Sequence, residues 1–213
     1  MEFIDEKLSD YCLFHTEDED AVLKELQRET HLKIMSPRML SGHLQGSWLS
    51  FLSKMAKPEL IVEIGTYTGY SAICLAKGLA ANGKLITMDI NEETESIARK
   101  YFAKSGFEKQ IELHTGDAKQ IIPTINQEID IVFIDADKRS YSLYFDLVID
   151  KVKSGGLIIA DNVLWSGKIL DLDKNKDQDT QAIHQFNQKI KNDSRIEKIL
   201  LPLRDGLFLM RKK

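Results

Sequence analysis

The sequence predicts an α/β fold built on a mostly parallel sheet, and three features of the 213-residue chain support this. Strand-like apolar runs alternate with helical patterns five times between residues 60 and 160. These runs are nearly continuous in apolar residues, as is typical of parallel strands buried on both faces. The last two predicted strands are separated only by residues 202–206, which indicates an antiparallel hairpin. We therefore expect a seven-stranded sheet that ends in this hairpin, with helices on both faces.

The predicted elements follow one another in chain order, and the spacing of apolar residues defines each of them. Two helical patterns come first, at 20–33 and from Pro37 to Leu52, with Pro37 in a first helical turn. Strands are predicted at 60–64, 84–88, 111–114, 129–134, 157–160, 196–201 and 207–210. Helices are predicted at 69–81, 92–104, 118–125, 141–152 and 180–191. The first twenty residues carry eight Asp or Glu against one Lys, a pattern that indicates a solvated face or a helix N-terminus.

Composition and charge exclude several classes of protein. With 43% hydrophobic and 29% charged residues, the chain is neither disordered nor of low complexity. No apolar run approaches the ~20 residues of a membrane helix, and the first residues lack the pattern of a secretory signal. Cys12 and Cys74 cannot form a disulfide framework, and a net charge of −4 argues against a broad nucleic-acid surface. We expect a cytoplasmic protein with a single domain at 1–213, in which residues 1–38 form a helical cap or a dimer contact.

The loop after the first predicted strand, residues 63–71, is the first candidate for ligand binding. Ligands of open α/β sheets bind beyond the carboxyl ends of the strands, and Gly65 and Gly69 would let backbone amides approach them closely. The acid-x-Gly-x-x-x-Gly spacing lacks the middle glycine of the dinucleotide fingerprint, which disfavours NAD. The spacing is closer to that of a loop for S-adenosylmethionine, with an ordinary strand-to-helix turn as the alternative.

Acidic residues after the second and third strands extend this candidate site. Asp89 follows Gly65 close to the ~20-residue offset at which such folds place a ribose-binding acid. The alternative is that Asp89 caps the following helix, although Asn91 could supply that cap. The third strand ends in a turn of small residues at 114–118, where an adenine ring could lie and where Asp117 could cap the next helix.

Oxygen donors follow the fourth and fifth predicted strands. Asp135 comes after one strand and Asp161 and Asn162 after the other, so neighbouring strands would bring three oxygen donors to one edge. Such a set suits a hard divalent cation such as Mg²⁺ or Ca²⁺. The five histidines show no paired ligand spacing, which disfavours zinc. Aspartates at strand ends also cap loops, but Lys138 adds a fourth polar group at this edge, which favours a site over a plain loop.

Together these motifs resemble one family, the cation-dependent O-methyltransferases that include the catechol and caffeoyl-CoA O-methyltransferases. The resemblance runs from about Met39 to the C-terminus. The segments that carry it are a cofactor loop, a metal and base segment, a second metal segment and a closing hairpin, at 63–71, 133–138, 161–165 and 201–207. Met39, Ser41 and Gly46 fit the start of the family's cofactor-covering helix less specifically. The resemblance implies a Rossmann-like class I methyltransferase fold and a homodimer.

Carried over position by position, the resemblance implies roles for particular residues. S-adenosylmethionine would contact Met39, Ser41, Glu63, Gly65, Thr66, Ser71, Asp89, Ala118 and Asp135. A divalent cation, Mg²⁺ with Ca²⁺ or Mn²⁺ as alternatives, would bind Asp135, Asp161 and Asn162. The acceptor would contact Asp137, Trp165, Ser166 and Arg204. Ser166 and Arg204 depart from the plant enzymes' usual Asn and Gly, which leaves the acceptor open. Lys138 would be the general base, provided that the cation and burial lower its pKa.

The expected function is therefore transfer of a methyl group from S-adenosylmethionine to a hydroxyl of a small catechol-type or phenolic acceptor, dependent on a divalent cation. Two alternatives stay open. The acceptor could be a hydroxylated tRNA base, with phosphates bound by Lys138, Arg139, Lys168 and Arg204. The chain could also bind S-adenosylmethionine without catalysis, but the expected base and metal ligands are all present.

Overall fold

A seven-stranded sheet lies at the centre of residues 4–213, the part of the chain that the computed structural model describes. The strands are β1 (Leu60–Ile64), β2 (Lys84–Asp89), β3 (Ile111–Thr115), β4 (Ile129–Ile134), β5 (Val152–Ala160), β6 (Ile196–Leu201) and β7 (Leu207–Lys212). Their order across the sheet is β3-β2-β1-β4-β5-β7-β6. Neighbours from β3 to β5 pair in parallel, whereas β7 is antiparallel to both β5 and β6. The predicted parallel sheet with a closing hairpin is confirmed.

Helices cover both faces of the sheet, as predicted. They are α1 (Glu6–Phe14), α2 (Ala21–Lys33), α3 (Gly42–Ala56), α4 (Tyr70–Ala76), α5 (Glu95–Ser105), α6 (Ala118–Ile121), α7 (Tyr141–Ile149) and α8 (Gln178–Asn192). Because side chains alternate along a strand, β1 serves two cores. Leu60, Val62 and Ile64 pack with α6, α7 and α8, and Ile61 packs with α2 to α5. None of the helices between residues 4 and 213 has the length and apolarity that crossing a bilayer requires.

The acidic N-terminal segment forms two helices with different surroundings. Asp5 and Asp20 accept hydrogen bonds from the backbone N–H groups of Lys7 (3.0 Å) and Val22 (2.8 Å), so these carboxylates cap α1 and α2. The acidic pattern therefore marks helix N-termini, one of the two interpretations that the sequence allowed. α2 has a buried face, whereas α1 buries none of its residues.

The predicted helix at 69–81 was too long, because α4 ends at Ala76. Gly78 passes against the backbone of α3, where an added Cβ would lie 2.1 Å from the carbonyl carbon of Ser53. The N–H of Ala80 then donates to the carbonyl of Pro58 (2.9 Å) and not to a helical carbonyl. A contact with another helix thus ends α4, and helical periodicity alone could not indicate that contact.

Other predicted bounds were also wrong at the ends of elements. The predicted helix at 141–152 ends at Ile149, and β5 begins at Val152, which pairs with Ile129 before the register shifts. α6 stops at Ile121 and continues only as a short 3-10 turn, because Pro123 has no N–H to donate. Short 3-10 turns at 37–39 and 92–94 likewise precede α3 and α5, where continuous helices were predicted.

Candidate active site

The turn between β1 and α4 is built around Gly65, at the point where the strand order reverses. Open α/β sheets bind ligands at this position. Gly65 has a φ of 105°, and an added Cβ would lie 1.9 Å from the carbonyl oxygen of Asp135. Its N–H donates to the carbonyl of Met88 (2.8 Å). Only glycine therefore allows the ends of β1 and β4 to lie this close, which brings the loop at 63–71 against the segment at 133–138.

A chain of hydrogen bonds links the buried residues of this turn. Thr66 and Thr87 approach each other with their Oγ1 atoms 2.5 Å apart, and Thr87 Oγ1 donates to Glu63 Oε2 at 2.6 Å. Glu63 is completely buried, and burial raises the pKa of its carboxyl to about 8, against the opposing hydrogen bond from Thr87. Glu63 Oε1 and Ser71, which is 6% exposed, lie in the same buried region. Burial thus favours the protonated form of the Glu63 carboxyl.

Asp89, at the end of β2, supports the turn from the second strand. Its Oδ2 accepts from the N–H of Tyr67 (2.7 Å), and its Oδ1 accepts from the N–H of Asn91 (2.9 Å). The cap of the following turn comes from Asn91, whose Oδ1 accepts from the N–H of Glu93 (2.9 Å). Asp89 therefore holds the cofactor loop in place and is not the helix cap that the sequence left as an alternative.

The start of α6 shows the cap that the sequence allowed at Asp117. Asp117 Oδ1 accepts from the N–H of Lys119 (2.9 Å), so this carboxylate caps α6. Ala118, the first residue of α6, is 6% exposed.

Asp135 and Asp161 come together at the carboxyl ends of β4 and β5. The register that pairs Ile134 with Ala160 places the residues after these two strands side by side. Asp161 is 2% exposed, and burial together with the negative charge of Asp135 raises the pKa of Asp161 to about 7. Asp161 Oδ1 accepts from the N–H of Asn162 (2.6 Å), which has a left-handed φ of 57°. Asp135, Asp161 and Asn162 thus follow neighbouring strands at one edge of the sheet.

The candidate donors Asp135, Asp161 and Asn162 differ from a metal site made of three or more His, Cys, Asp or Glu side chains. Among residues 4–213 there is no cluster of three or more His, Cys, Asp or Glu side chains arranged to hold a metal. The set at the β4 and β5 ends has only two carboxylates, and its third member, Asn162, is an amide.

Lys138 is held between Asp135 and Tyr141. Its Nζ donates to Asp135 Oδ1 at 2.9 Å and to the Tyr141 hydroxyl at 2.8 Å, and its side chain is 11% exposed. Burial lowers the pKa of Lys138, but Tyr141 and Asp135 outweigh it and raise that pKa above its ordinary value. The Tyr141 hydroxyl in turn donates to the backbone carbonyl of Asp161 at 3.0 Å. Tyr141 was missed by sequence reasoning, although its spacing of three residues from Lys138 was a usable signal.

Of the four expected acceptor residues, one faces Lys138, two are exposed, and Arg204 contacts the segment before α3. The ring of Trp165 has its centroid 5.9 Å from Lys138 Nζ, and its indole Nε1 has no hydrogen-bond partner among the described residues. Ser166 is exposed and its N–H donates to Asp205 Oδ1 (2.5 Å). Asp137 is also exposed, and its Oδ1 accepts from the N–H of Arg139 (3.3 Å).

Arg204 links the closing hairpin to the segment before α3. It has a left-handed φ of 49°, and its Nη1 donates to the carbonyl oxygens of Leu40 (2.8 Å) and Ser41. Arg204, which was expected to contact the acceptor, thus anchors the segment before α3. Ser41 is 5% exposed, whereas Met39, the other expected cofactor residue of this segment, is 58% exposed.

The strand order and the closing hairpin are those of the class I methyltransferase fold, which the solved structures that resemble this chain share. The family model described as O-methyltransferase matches residues 14–213. The chain is 36% identical over 204 residues to caffeoyl-CoA O-methyltransferase 1 of Nicotiana tabacum, which covers 89% of this chain and 84% of that protein. It is 33% identical over 163 residues to the catechol O-methyltransferase of Niastella koreensis, covering 75% of this chain and 73% of that protein.

A solved structure agrees with these sequence relatives. The SAH-bound methyltransferase PaMTH1 of Podospora anserina is 29% identical and superposes with a TM-score of 0.90, covering 97% of this chain and 94% of that one. The chain therefore belongs to the O-methyltransferase family, whose members are S-adenosylmethionine-dependent enzymes that methylate hydroxyl oxygens. The resemblance stated from the motifs is confirmed at the level of the family.

Proposed function

We propose that this enzyme methylates a hydroxyl of a small catechol-type or phenolic acceptor and requires a divalent cation, with Mg²⁺ as the native ion. The observation that carries the proposal is the meeting of Asp135, Asp161 and Asn162 at one edge of the sheet, with Lys138 bonded to the first of them. The relatives named caffeoyl-CoA and catechol O-methyltransferase support an acceptor of this class.

The charge of the two carboxylates fits a divalent cation. Burial and the negative charge of Asp135 raise the pKa of the Asp161 carboxyl, so a cation between the two carboxylates would stabilise the charged form of Asp161. Carboxylate and amide oxygens are the ligands that Mg²⁺ prefers, and Ca²⁺ or Mn²⁺ would be accepted by the same donors. A cation held there would stabilise the negative charge on the acceptor oxygen, since a phenol has a pKa of ~10 and is a poor nucleophile near neutral pH.

S-adenosylmethionine is proposed to bind at the turn after β1, with contacts from nine residues. They are Met39, Ser41, Glu63, Gly65, Thr66, Ser71, Asp89, Ala118 and Asp135. Glu63 Oε1 is buried without a hydrogen-bond partner among the described residues, and such an atom suits a donor group on a ligand. The carboxylate of Asp89 is half-buried at the end of β2, where it would accept hydrogen bonds from the ribose hydroxyls of the cofactor.

Lys138 is the proposed general base, and its surroundings define the condition for that role. In the structure its ammonium group is stabilised by Asp135 and Tyr141, which raise its pKa. Asp135, once shared with a cation, would stabilise the ammonium less, and burial would then lower the pKa of Lys138. Lys138 would next take the proton of the acceptor hydroxyl, and Trp165, 5.9 Å away, would form a wall of the acceptor site.

The basic residues near the rim favour a small acceptor over RNA. Lys138 pairs with Asp135, and Arg139 pairs with Asp179 at 2.8 Å. Lys168 lies 3.7 Å from Asp177, and Arg204 donates to backbone carbonyls. Each of these groups already has a partner, so binding of RNA phosphates would require these contacts to be exchanged.

The proposed function is tested by a screen for transfer of a labelled methyl group from S-adenosylmethionine. A panel of catechols and total RNA are the acceptors, each with and without Mg²⁺. We expect label in catechols and only with Mg²⁺. Label in RNA alone would replace the proposed acceptor, and no label in any acceptor would favour the non-catalytic alternative.

We also propose a single domain at 1–213, a homodimer and a cytoplasmic location. The N-terminal helices support the dimer, because Tyr11 and Phe14 on α1 and Phe51 and Met55 on α3 are exposed apolar side chains that a second copy could cover. The two free cysteines are compatible with a reducing compartment. Light scattering tests the dimer, and a monomer at micromolar concentration would contradict it.

A further inference from the structure

Gln45 is buried next to Asp161, and the motifs and site residues described above leave it without a role. Its side chain has no exposed surface. Nε2 donates to Asp161 Oδ2 at 2.5 Å, whereas Oε1 accepts no hydrogen bond from the described residues. Burying an amide with one unpaired atom opposes folding. An apolar side chain of similar size would avoid this penalty, so packing alone does not explain the amide.

The packing of α3 on α4 fixes the position of Gln45. At the next residue, Gly46, an added Cβ would lie 2.7 Å from Tyr70 Cε1 and 2.8 Å from Cys74 Sγ. The absence of a side chain at Gly46 therefore lets α3 lie directly against α4. Gln45 reaches the end of β5 from this firmly packed helix.

Asp161 is thus held by two donors from different parts of the chain. Its Oδ1 accepts from the N–H of Asn162, and its Oδ2 accepts from Gln45. Together these donors fix the plane of the carboxylate and leave lone pairs on each oxygen for a further partner. We propose that Gln45 is a positioning residue of the cation site, which orients Asp161 and thereby strengthens binding of a divalent cation. This inference rests on the proposed function, because it needs a cation at Asp161.

The test measures cation binding directly, without acceptor or turnover. Gln45→Met keeps the approximate size and removes both polar atoms, and Gln45→Asn keeps the amide but shortens its reach. Mutating a residue that hydrogen-bonds to a metal ligand typically lowers metal affinity by about 10–100-fold. We expect a loss of Mn²⁺ affinity in this range for both variants. The probe is Mn²⁺, counted by the loss of the free-ion EPR signal and displaced by Mg²⁺. Affinity for S-adenosylmethionine, measured by calorimetry, should be unchanged.

Ser53→Ala is the matched control on the same helix. Ser53 is also fully buried, and its Oγ donates to the carbonyl of Leu75 at 2.6 Å, so the variant removes one buried hydrogen bond. It should lower the melting temperature but leave Mn²⁺ affinity at the wild-type value. If the Gln45 variants also lower only the melting temperature, Gln45 is structural and the inference is overturned.

A measurement on the wild type keeps the test independent of the folding of any variant. The side-chain amide NMR signals of Gln45 should shift when Mg²⁺ is added, since the bonded carboxylate gains a second partner. Signals that do not move while Mg²⁺ binds would overturn the inference about Gln45 but not the proposed cation dependence. A wild type that binds neither Mn²⁺ nor Mg²⁺, yet transfers methyl groups, would overturn the proposed cation dependence and this inference with it.

Discussion

The buried carboxyl of Glu63 predicts how stability depends on pH. Burial raises its pKa from 4.5 to about 8, so the folded protein favours the protonated form. In the unfolded chain Glu63 ionises near its ordinary pKa. Its stabilising contribution is therefore complete below pH 4.5 and is lost as the pH rises through the folded value of about 8. Each pH unit between these values removes about 1.4 kcal/mol, so about 2–3 kcal/mol is lost from pH 5 to pH 7.

Glu63→Gln removes this titration with little change in shape. The amide oxygen can still accept the hydrogen bond that Thr87 donates at 2.6 Å. We expect the unfolding free energy of the wild type, relative to the variant, to fall by about 2–3 kcal/mol between pH 5 and pH 7. Urea denaturation of the ligand-free proteins measures this difference. Glu59→Gln, at an exposed position before β1, is the control and should follow the wild-type profile. Parallel profiles for wild type and Glu63→Gln would refute the burial argument.

Three further variants test individual contacts of the site. Lys138→Ala should lower kcat by about 10²–10⁴, with a smaller loss at high pH, where the acceptor hydroxyl ionises unaided. A pH–rate profile close to that of the wild type would rule out Lys138 as the general base. Asp89→Ala should weaken S-adenosylmethionine binding at least about tenfold in calorimetry with cation affinity unchanged. Unaltered cofactor affinity would leave Asp89 only its bonds to the backbone N–H groups of Tyr67 and Asn91. Arg204→Gly should speed hydrogen exchange in residues 38–43 because their anchoring contact is lost, and unchanged exchange there would contradict the anchor.

Sequence patterns predicted the strands more accurately than the helix ends, for a physical reason. Buried parallel strands are apolar along their length, so β1 and β4 have the predicted bounds of 60–64 and 129–134. The ends of α4 and α7 depend on contacts that are distant in sequence. Gly78 meets the backbone of α3, and Val152 pairs with β4. Local periodicity carries no information about such contacts.

The candidate site divides in the same way. Asp135 and Asp161 could be predicted as neighbours because they follow strands that are adjacent in a parallel sheet. Gln45 could not, because its contact with Asp161 depends on how closely α3 packs on α4. The contact of Arg204 with the segment before α3 also depends on tertiary packing. The presence of Arg at a position where the plant enzymes usually have Gly did not indicate this contact.

The central claim is that methyl transfer requires a divalent cation bound by Asp135, Asp161 and Asn162. The most direct measurement is the rate of methyl transfer to a catechol against free Mg²⁺, for wild type, Asp161→Ala and Asn162→Ala. We predict no transfer after exhaustive chelation and full recovery when Mg²⁺ is restored. The half-saturating Mg²⁺ concentration should rise strongly in Asp161→Ala, which loses a charged ligand, and less in Asn162→Ala, which loses a neutral one. Full activity of the chelated wild type, or equal half-saturating concentrations in all three proteins, would contradict the claim.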